Sequence, residues 1–411
     1  MSQKPAPTVR ICDTFAGKVT KVNSSDEARS HAHADLAEWQ ATTADHWALC
    51  RHTPLRDIPI LARWFPAWQV WLDHPRNDDW WRSFDIKDRA AIPMFQTAGW
   101  WDLFLGGSIA EFNRAPRHPR SRIVIGPWSH INSGTAHGDV YYGPTAGAAP
   151  NDIEGQRLNF LSRYLLAGQP EPDGPPVRIF VMGANVWRDE EAWPLARAKS
   201  VRYYLHAGGI LSPSAPAADG ATTAFVFDPL DPVPTLGGRN LVPGSEGGYV
   251  TGPFDHRSLD HRHDIVRFET EPLPHDIEVT GNLGVSLCAT TTAIDTDWTA
   301  MLLDVLPDGR AYNVADGIIR ARHHSGNDHD DFVAPQQPHR FEIDLAATSQ
   351  VFLAGHRIRI AVSSSNFPRF DRNPGTGALS SDVVESAFVS AQQTIFQDAQ
   401  HASFVTLPIV E

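Results

Sequence analysis

Along the 411 residues of the chain the spacing of apolar positions changes character twice. Through residues 1–35 it has no period, so neither a helix face nor a strand face is written there, and the stretch stays unassigned. From Leu36 to Arg82 apolar residues recur near the helical period, among them Ile58, Leu61, Trp64, Phe65, Trp68, Trp71 and Leu72, around an interruption at Pro66. This predicts a small helical unit over 36–90 that holds seven of the 13 tryptophans, packed helix on helix or lining a pocket. Next come a short apolar run, Ala91 to Ala98, a helical stretch, Leu103 to Asn113, and a second apolar run, Arg122 to Ile125. Strand, helix, strand is a βαβ unit, which needs a parallel sheet; with a further helix at Gln156 to Leu166 it occupies 91–170. Beyond the Gly/Pro-rich connector Gly168 to Pro176 the period becomes two. Val201–Leu205, Phe225–Phe227, Ile265–Phe268, Ile277–Val279, Val285–Leu287, Phe341–Leu345 and His356–Val362 read as strands, which predicts a β-sandwich or jelly roll over 177–411. The fold class is therefore α/β plus all-β.

Charge and cysteines narrow the partners. The net charge of −13 is spread along the chain, leaving no basic face for nucleic acid. No apolar run is long enough to span a membrane, and the N-terminus lacks the apolar core of a secretory signal, so a cytoplasmic protein is expected. Cys12, Cys50 and Cys288 are too few and too scattered for a disulfide framework or a thiolate zinc site. His323-His324-Ser-Gly-Asn-Asp328-His329-Asp330-Asp331 and Asp255-His256 through His263-Asp264 have metal-ligand residue types without ligand spacing; they read as a solvated loop and as paired charges. The glycines from Gly237 to Gly248 open no helix and lack the phosphate-loop pattern.

The sharpest chemical signal is Asp102 at the end of the first strand and His130 just past the second. In a parallel sheet both positions open on the same edge, where an acid and a base can meet as the last two members of a Ser-Asp-His triad. The bland alternatives are a helix cap for Asp102 and a hydrogen-bonded loop residue for His130.

Gly99-Trp-Trp-Asp-Leu-Phe104 followed by Arg122-Ile-Val-Ile-Gly-Pro-Trp-Ser-His130 resembles the end of the catalytic domain in the CocE/NonD family of X-Pro dipeptidyl-peptidase-like serine hydrolases. The resemblance continues through Gly252-Pro-Phe-Asp255, Glu278-Val-Thr-Gly281, Asp295-Thr-Asp-Trp298, Leu303-Asp-Val305, Gly355-His-Arg-Ile-Arg359 and Ser363 to Arg369, covering about residue 45 to the end. It implies part of an α/β-hydrolase core with a helical cap, then a C-terminal jelly roll. It also implies ester or amide hydrolysis without a metal or organic cofactor. Asp102 and His130 become the catalytic acid and base, and Phe104 and Trp101, with the cap tryptophans, become candidates for an acyl-side pocket. The family's nucleophile elbow, Gly-x-Ser-Tyr-x-Gly, does not precede Leu36. Ser108 is the best match by pattern but lies within the helix after the acid, Ser286 sits in an alternating strand, and Ser245 is in a loop. The expectation is an N-terminally truncated or split hydrolase, inactive alone, completed by an upstream fragment or prone to self-association, and acting on a small ester or peptide once complete. The competing expectation is a non-catalytic jelly roll that binds a partner or a carbohydrate.

Overall fold

The computed structural model describes residues 36–42, 44–85, 92–114, 120–166, 174–218, 221–244 and 248–411. The unassigned stretch 1–35, most of the connector after Leu166, and Ser245 lie outside them.

The helical segment is realised as short pieces: a stretch at 36–42, α1 (His46–Arg51), α2 (Pro59–Trp64), α3 (Ala67–Asp73) and α4 (Asp79–Arg82). Pro59 opens α2, where its missing N–H costs nothing, and Pro66 parts α2 from α3. The Asp45 and Asp78 carboxylates accept from backbone N–H groups that begin α1 and α4. Trp39, Leu49, Ile58, Leu61 and Leu72 close around Trp68, whose indole N–H donates 2.8 Å to the Leu55 carbonyl, so these tryptophans form a core of their own.

Strands β1 (Phe95–Trp101) and β2 (Arg122–Ser129) pair in parallel across α5 (Leu105–Arg114), as the βαβ pattern predicts. After a small β3–β4 ladder (Ala136–His137, Val140–Tyr141) and α6 (Ile153–Leu165), the chain returns as β5 (Val177–Val181), parallel to β2, and β6 (Val186–Glu190), antiparallel to β5. The sheet order is β1-β2-β5-β6. Residue 177, expected to open the all-β half, thus begins two further strands of the α/β sheet. Val177, Ile179, Phe180 and Val181 are fully buried, and a strand covered on both faces has no alternation to distinguish it.

The sandwich proper is eleven strands: β7 (Lys199–His206), β8 (Ile210–Ser212), β9 (Thr222–Phe227), β10 (Val266–Glu269), β11 (Ile277–Thr291), β12 (Asp297–Val305), β13 (Ala311–Arg320), β14 (His339–Phe352), β15 (Arg357–Ser363), β16 (Ala391–Phe396) and β17 (Phe404–Val410). They run β13-β12-β15-β10-β8-β7-β17-β11-β16-β9, with β14 branching from β11 and lying back over β13 and β12. The enclosed core includes Phe227, Phe268, Trp298, Phe341 and Phe352.

The units are fastened to one another. Met182 exchanges backbone hydrogen bonds with Ser349 (3.0 Å) and Val351 (2.8 Å), and Ala347 and Val351 join the core of the α/β sheet. The helical unit rests on the sandwich through Leu55 and Arg56 N–H groups donating to Ser380 and Ser381 carbonyls, Asn77 N–H to Asn327, and the Arg76–Asp330 ion pair.

Candidate active site

Two glycines let the parallel strands close tightly below the site. A Cβ on Gly99 would lie 2.1 Å from the Trp128 carbonyl oxygen, and one on Gly126 would lie 2.3 Å from the Trp128 indole. Trp128 is itself buried and anchored through its N–H to the Ala146 carbonyl at 2.9 Å. The register pairs Gly99 with Gly126, then slips, and resumes with Trp101 opposite Ser129. The next residue of each strand is therefore Asp102 and His130, side by side at the C-terminal edge.

Asp102 divides its two oxygens. Oδ1 accepts the Phe104 N–H at 2.8 Å, turning the chain into α5, while Oδ2 faces His130 Nδ1 at 3.4 Å. The capping contact and the contact with His130 coexist. An Nδ1–H directed at a carboxylate fixes the tautomer that leaves Nε2 with its lone pair for an incoming proton. The Asp102 side chain is 16% exposed and that of His130 41%, so the acid is sheltered and the base is open. The Phe104 ring stands edge-on to the imidazole, centroids 5.0 Å apart, and is 47% exposed, an apolar wall beside the base. Trp101 is corrected to a core residue: it is 2% exposed and its indole N–H donates 3.1 Å to the Tyr142 hydroxyl, because strand alternation turns it away from the open edge. Burial holds the Tyr142 hydroxyl well above its ordinary pKa, so it serves the site as a neutral anchor.

The sandwich braces this edge from below, which the sequence pattern did not disclose. Thr251 Oγ1 lies 3.4 Å from the Trp101 carbonyl and 3.2 Å from that of Gly238. Asp139, in the loop that follows His130, donates its N–H to the Pro253 carbonyl at 2.8 Å, and its carboxylate accepts the Asp255 N–H at 3.0 Å. Gly138 has φ +52°, and a Cβ there would strike the Pro253 carbonyl at 2.1 Å. The Gly252-Pro-Phe-Asp255 motif is thus a clamp on the loop that carries the base.

The serines do not join the pair. Ser108 lies in the body of α5, and its N–H donates to the Phe104 carbonyl. The Ser286 hydroxyl is spanned by Glu342 and Arg340, each at 2.8 Å, on the other sheet. Among the described residues the His130 ring hydrogen-bonds only Asp102. The chelating patterns resolve into ion pairs, Arg257–Asp255, Arg262–Asp264 and Arg76–Asp330, and no group of three or more metal-ligating side chains gathers among the described residues. No helix among them is long and apolar enough to cross a membrane.

Comparison with known proteins bears on the same residues. The X-Pro dipeptidyl-peptidase (S15 family) model matches residues 9–132, and that of the X-Pro dipeptidyl-peptidase C-terminal non-catalytic domain matches 172–406. Cocaine esterase of Rhodococcus sp. (strain MB1 Bresler) is 36% identical over 405 residues, 95% of this chain and 70% of that protein. Among solved structures, an aminopeptidase from a marine sediment Thaumarchaeota archaeon aligns with TM-score 0.76 at 26% identity, over 85% of this chain and 61% of its own. An α-amino acid ester hydrolase gives TM-score 0.76 at 28% identity, over 85% and 62%. The chain therefore spans about three fifths of those two structures. With the Asp102–His130 edge, the parallel sheet and the sandwich in their family order, the chain belongs to the CocE/NonD family of X-Pro dipeptidyl-peptidase-like serine hydrolases.

Proposed function

We propose that this protein is an acyl-transfer hydrolase of esters or amides in which His130 is the general base and then the general acid, and Asp102 orients it. The attacking serine is carried by polypeptide outside the described residues. In the first half-reaction His130 Nε2 takes the serine proton as the oxygen adds to the carbonyl, and it returns that proton to the leaving alcohol or amine. Water repeats the sequence on the acyl-enzyme. Asp102 stays ionised, holding the imidazole and stabilising its cation. Phe104 offers an apolar surface to the acyl group, in keeping with relatives named for cocaine, α-amino acid esters and peptides.

The observation that carries this reading is the Asp102–His130 contact at the C-terminal edge of adjacent parallel strands. Among the described residues β1 is the outer strand of its sheet. A parallel neighbour on β1 would place its own strand-to-helix turn on the edge that His130 faces. The test uses a fluorophosphonate probe and p-nitrophenyl acetate on the chain and on any longer natural polypeptide that contains it. Expected are labelling and turnover of the polypeptide that carries the serine, which His130→Ala reduces on the order of 10⁶-fold and Asp102→Asn roughly 10⁴-fold, and which Ser108→Ala and Ser286→Ala leave unchanged. Labelling of the chain alone that Ser108→Ala or Ser286→Ala abolishes would overturn the assignment of the nucleophile. Turnover indifferent to His130 would overturn the mechanism.

A further inference from the structure

A second site lies on the sandwich, on strands remote in sequence from Asp102 and His130. Strands β7, β17, β11 and β14 are consecutive neighbours, and their registers place Tyr204 opposite Phe404, Phe404 opposite Ser286, and Ser286 opposite Glu342. One row therefore crosses four strands as two aromatic rings, a hydroxyl and a carboxylate. The flanking positions Leu205, Val405, Val285, Leu287, Phe341 and Ile343 all enter the sandwich core. By strand alternation the row projects from the opposite, outer face.

That face is not flat. The row belongs to a groove of about 470 Å³ that Ala215, Pro216, Ala399, Gln400, Ala402, Arg202 and Arg340 also line. The volume falls in the range of small-molecule sites. Tyr204 and Phe404 stand with ring centroids 5.6 Å apart, and the Arg202 guanidinium lies 4.5 Å from the Phe404 ring centre. Ser286 Oγ donates to Glu342 Oε1 and accepts from Arg340 Nη1, both at 2.8 Å, and the same Nη1 reaches the Ala402 carbonyl at 3.1 Å. This relay uses one atom of each charged side chain, leaving Glu342 Oε2 and Arg340 Nε and Nη2 to a ligand. Among the described residues none of Arg202, Arg340 and Glu342 has an ion-pair partner.

We infer that this groove binds a saccharide. Adjacent carboxylate and guanidinium groups match the acceptor and donor sides of vicinal hydroxyls, and the Tyr204 ring, edge-on to Phe404, offers an apolar surface to the C–H face of a sugar ring. The two guanidinium groups also admit a sugar carboxylate, so neutral and uronic sugars share this chemistry. The overall charge of −13 disfavours a nucleic-acid strand as the occupant. The inference is independent of the hydrolase reading, since no residue of the groove belongs to the Asp102–His130 edge.

The test is saturation-transfer NMR and calorimetry on the full chain with cellobiose, maltose, lactose, chitobiose and digalacturonate, each up to about 10 mM, a weak-binding concentration. The expected result is binding of at least one of them, weakened roughly tenfold or more in both Glu342→Ala and Arg340→Ala. Both positions are exposed on the outer face, so the variants should melt as the parent does. A preference for digalacturonate assigns the arginines to a carboxylate; a preference for a neutral sugar assigns them to hydroxyls. Binding of none of the five, or binding that both variants retain in full, would overturn the inference.

Discussion

At the scale of single residues the chain shows how burial sets a charge state. His256 follows the Gly252–Asp255 clamp, with Nε2 3.0 Å from the Leu236 carbonyl, and it is buried. Burial pushes its pKa down to about 4, although the Leu236 carbonyl, Asp316, Asn313 and Asp255 all favour the cation. In the unfolded chain the ring titrates near 6.5, so between these values the unfolded state binds more protons than the folded one. His256 therefore leaves stability intact above about pH 6.5 and erodes it as the pH falls toward 4, by about 3 kcal/mol in all. Urea melts at a series of pH values should show a shallower acid loss for His256→Gln than for the parent; equal slopes would contradict the assignment. In the sequence His256 sits in a run of acidic, basic and histidine residues that reads as paired charges. Only packing, which a linear pattern does not carry, turns it into a neutral strut beneath the loop that follows His130.

At the scale of elements, what was legible follows from which faces are wet. Strands with one dry and one wet face, such as β9 and the first half of β14, alternate and were readable, as was the βαβ unit, whose glycines and tryptophans sit at fixed offsets. β5 and β12 are covered on both faces and β13 nearly so, and their near-continuous burial removed the period that would have marked them. The reading of Ile277–Val279 and Val285–Leu287 as separate strands has a similar cause. β11 runs unbroken through both, but a shift of register at Leu283/Gly284 interrupts the alternation between them. The glycine of the Gly-Trp-Trp-Asp motif matters most at this scale, because β1 closes on β2 only without a side chain at Gly99. Gly99→Ala should therefore cost about 2 kcal/mol or more and lower the thermal midpoint. An unchanged melt would show that the strands have room that the structure denies them.

At the scale of the molecule, the Asp102–His130 edge depends on both sheets. That Asp102 and His130 meet was legible in the sequence, because strand ends in a parallel sheet are predictable places. The support from the sandwich through Thr251, Pro253 and Asp255 was not, since it joins residues more than a hundred positions apart whose pairing no local pattern encodes. Trp101 was misplaced for the same reason: an aromatic next to a candidate acid reads as pocket lining until the sheet shows which way it turns. The central claim is that this chain holds His130 as a base already oriented by Asp102, whatever supplies the nucleophile. Nitrogen-15 NMR of the histidine rings in the full chain tests it most directly. The account predicts that neutral His130 is the Nδ1–H tautomer with a deshielded Nδ1 proton, and that both features are lost in Asp102→Asn. An Nε2–H tautomer in the native chain, or a His130 signal that Asp102→Asn leaves unchanged, would contradict it.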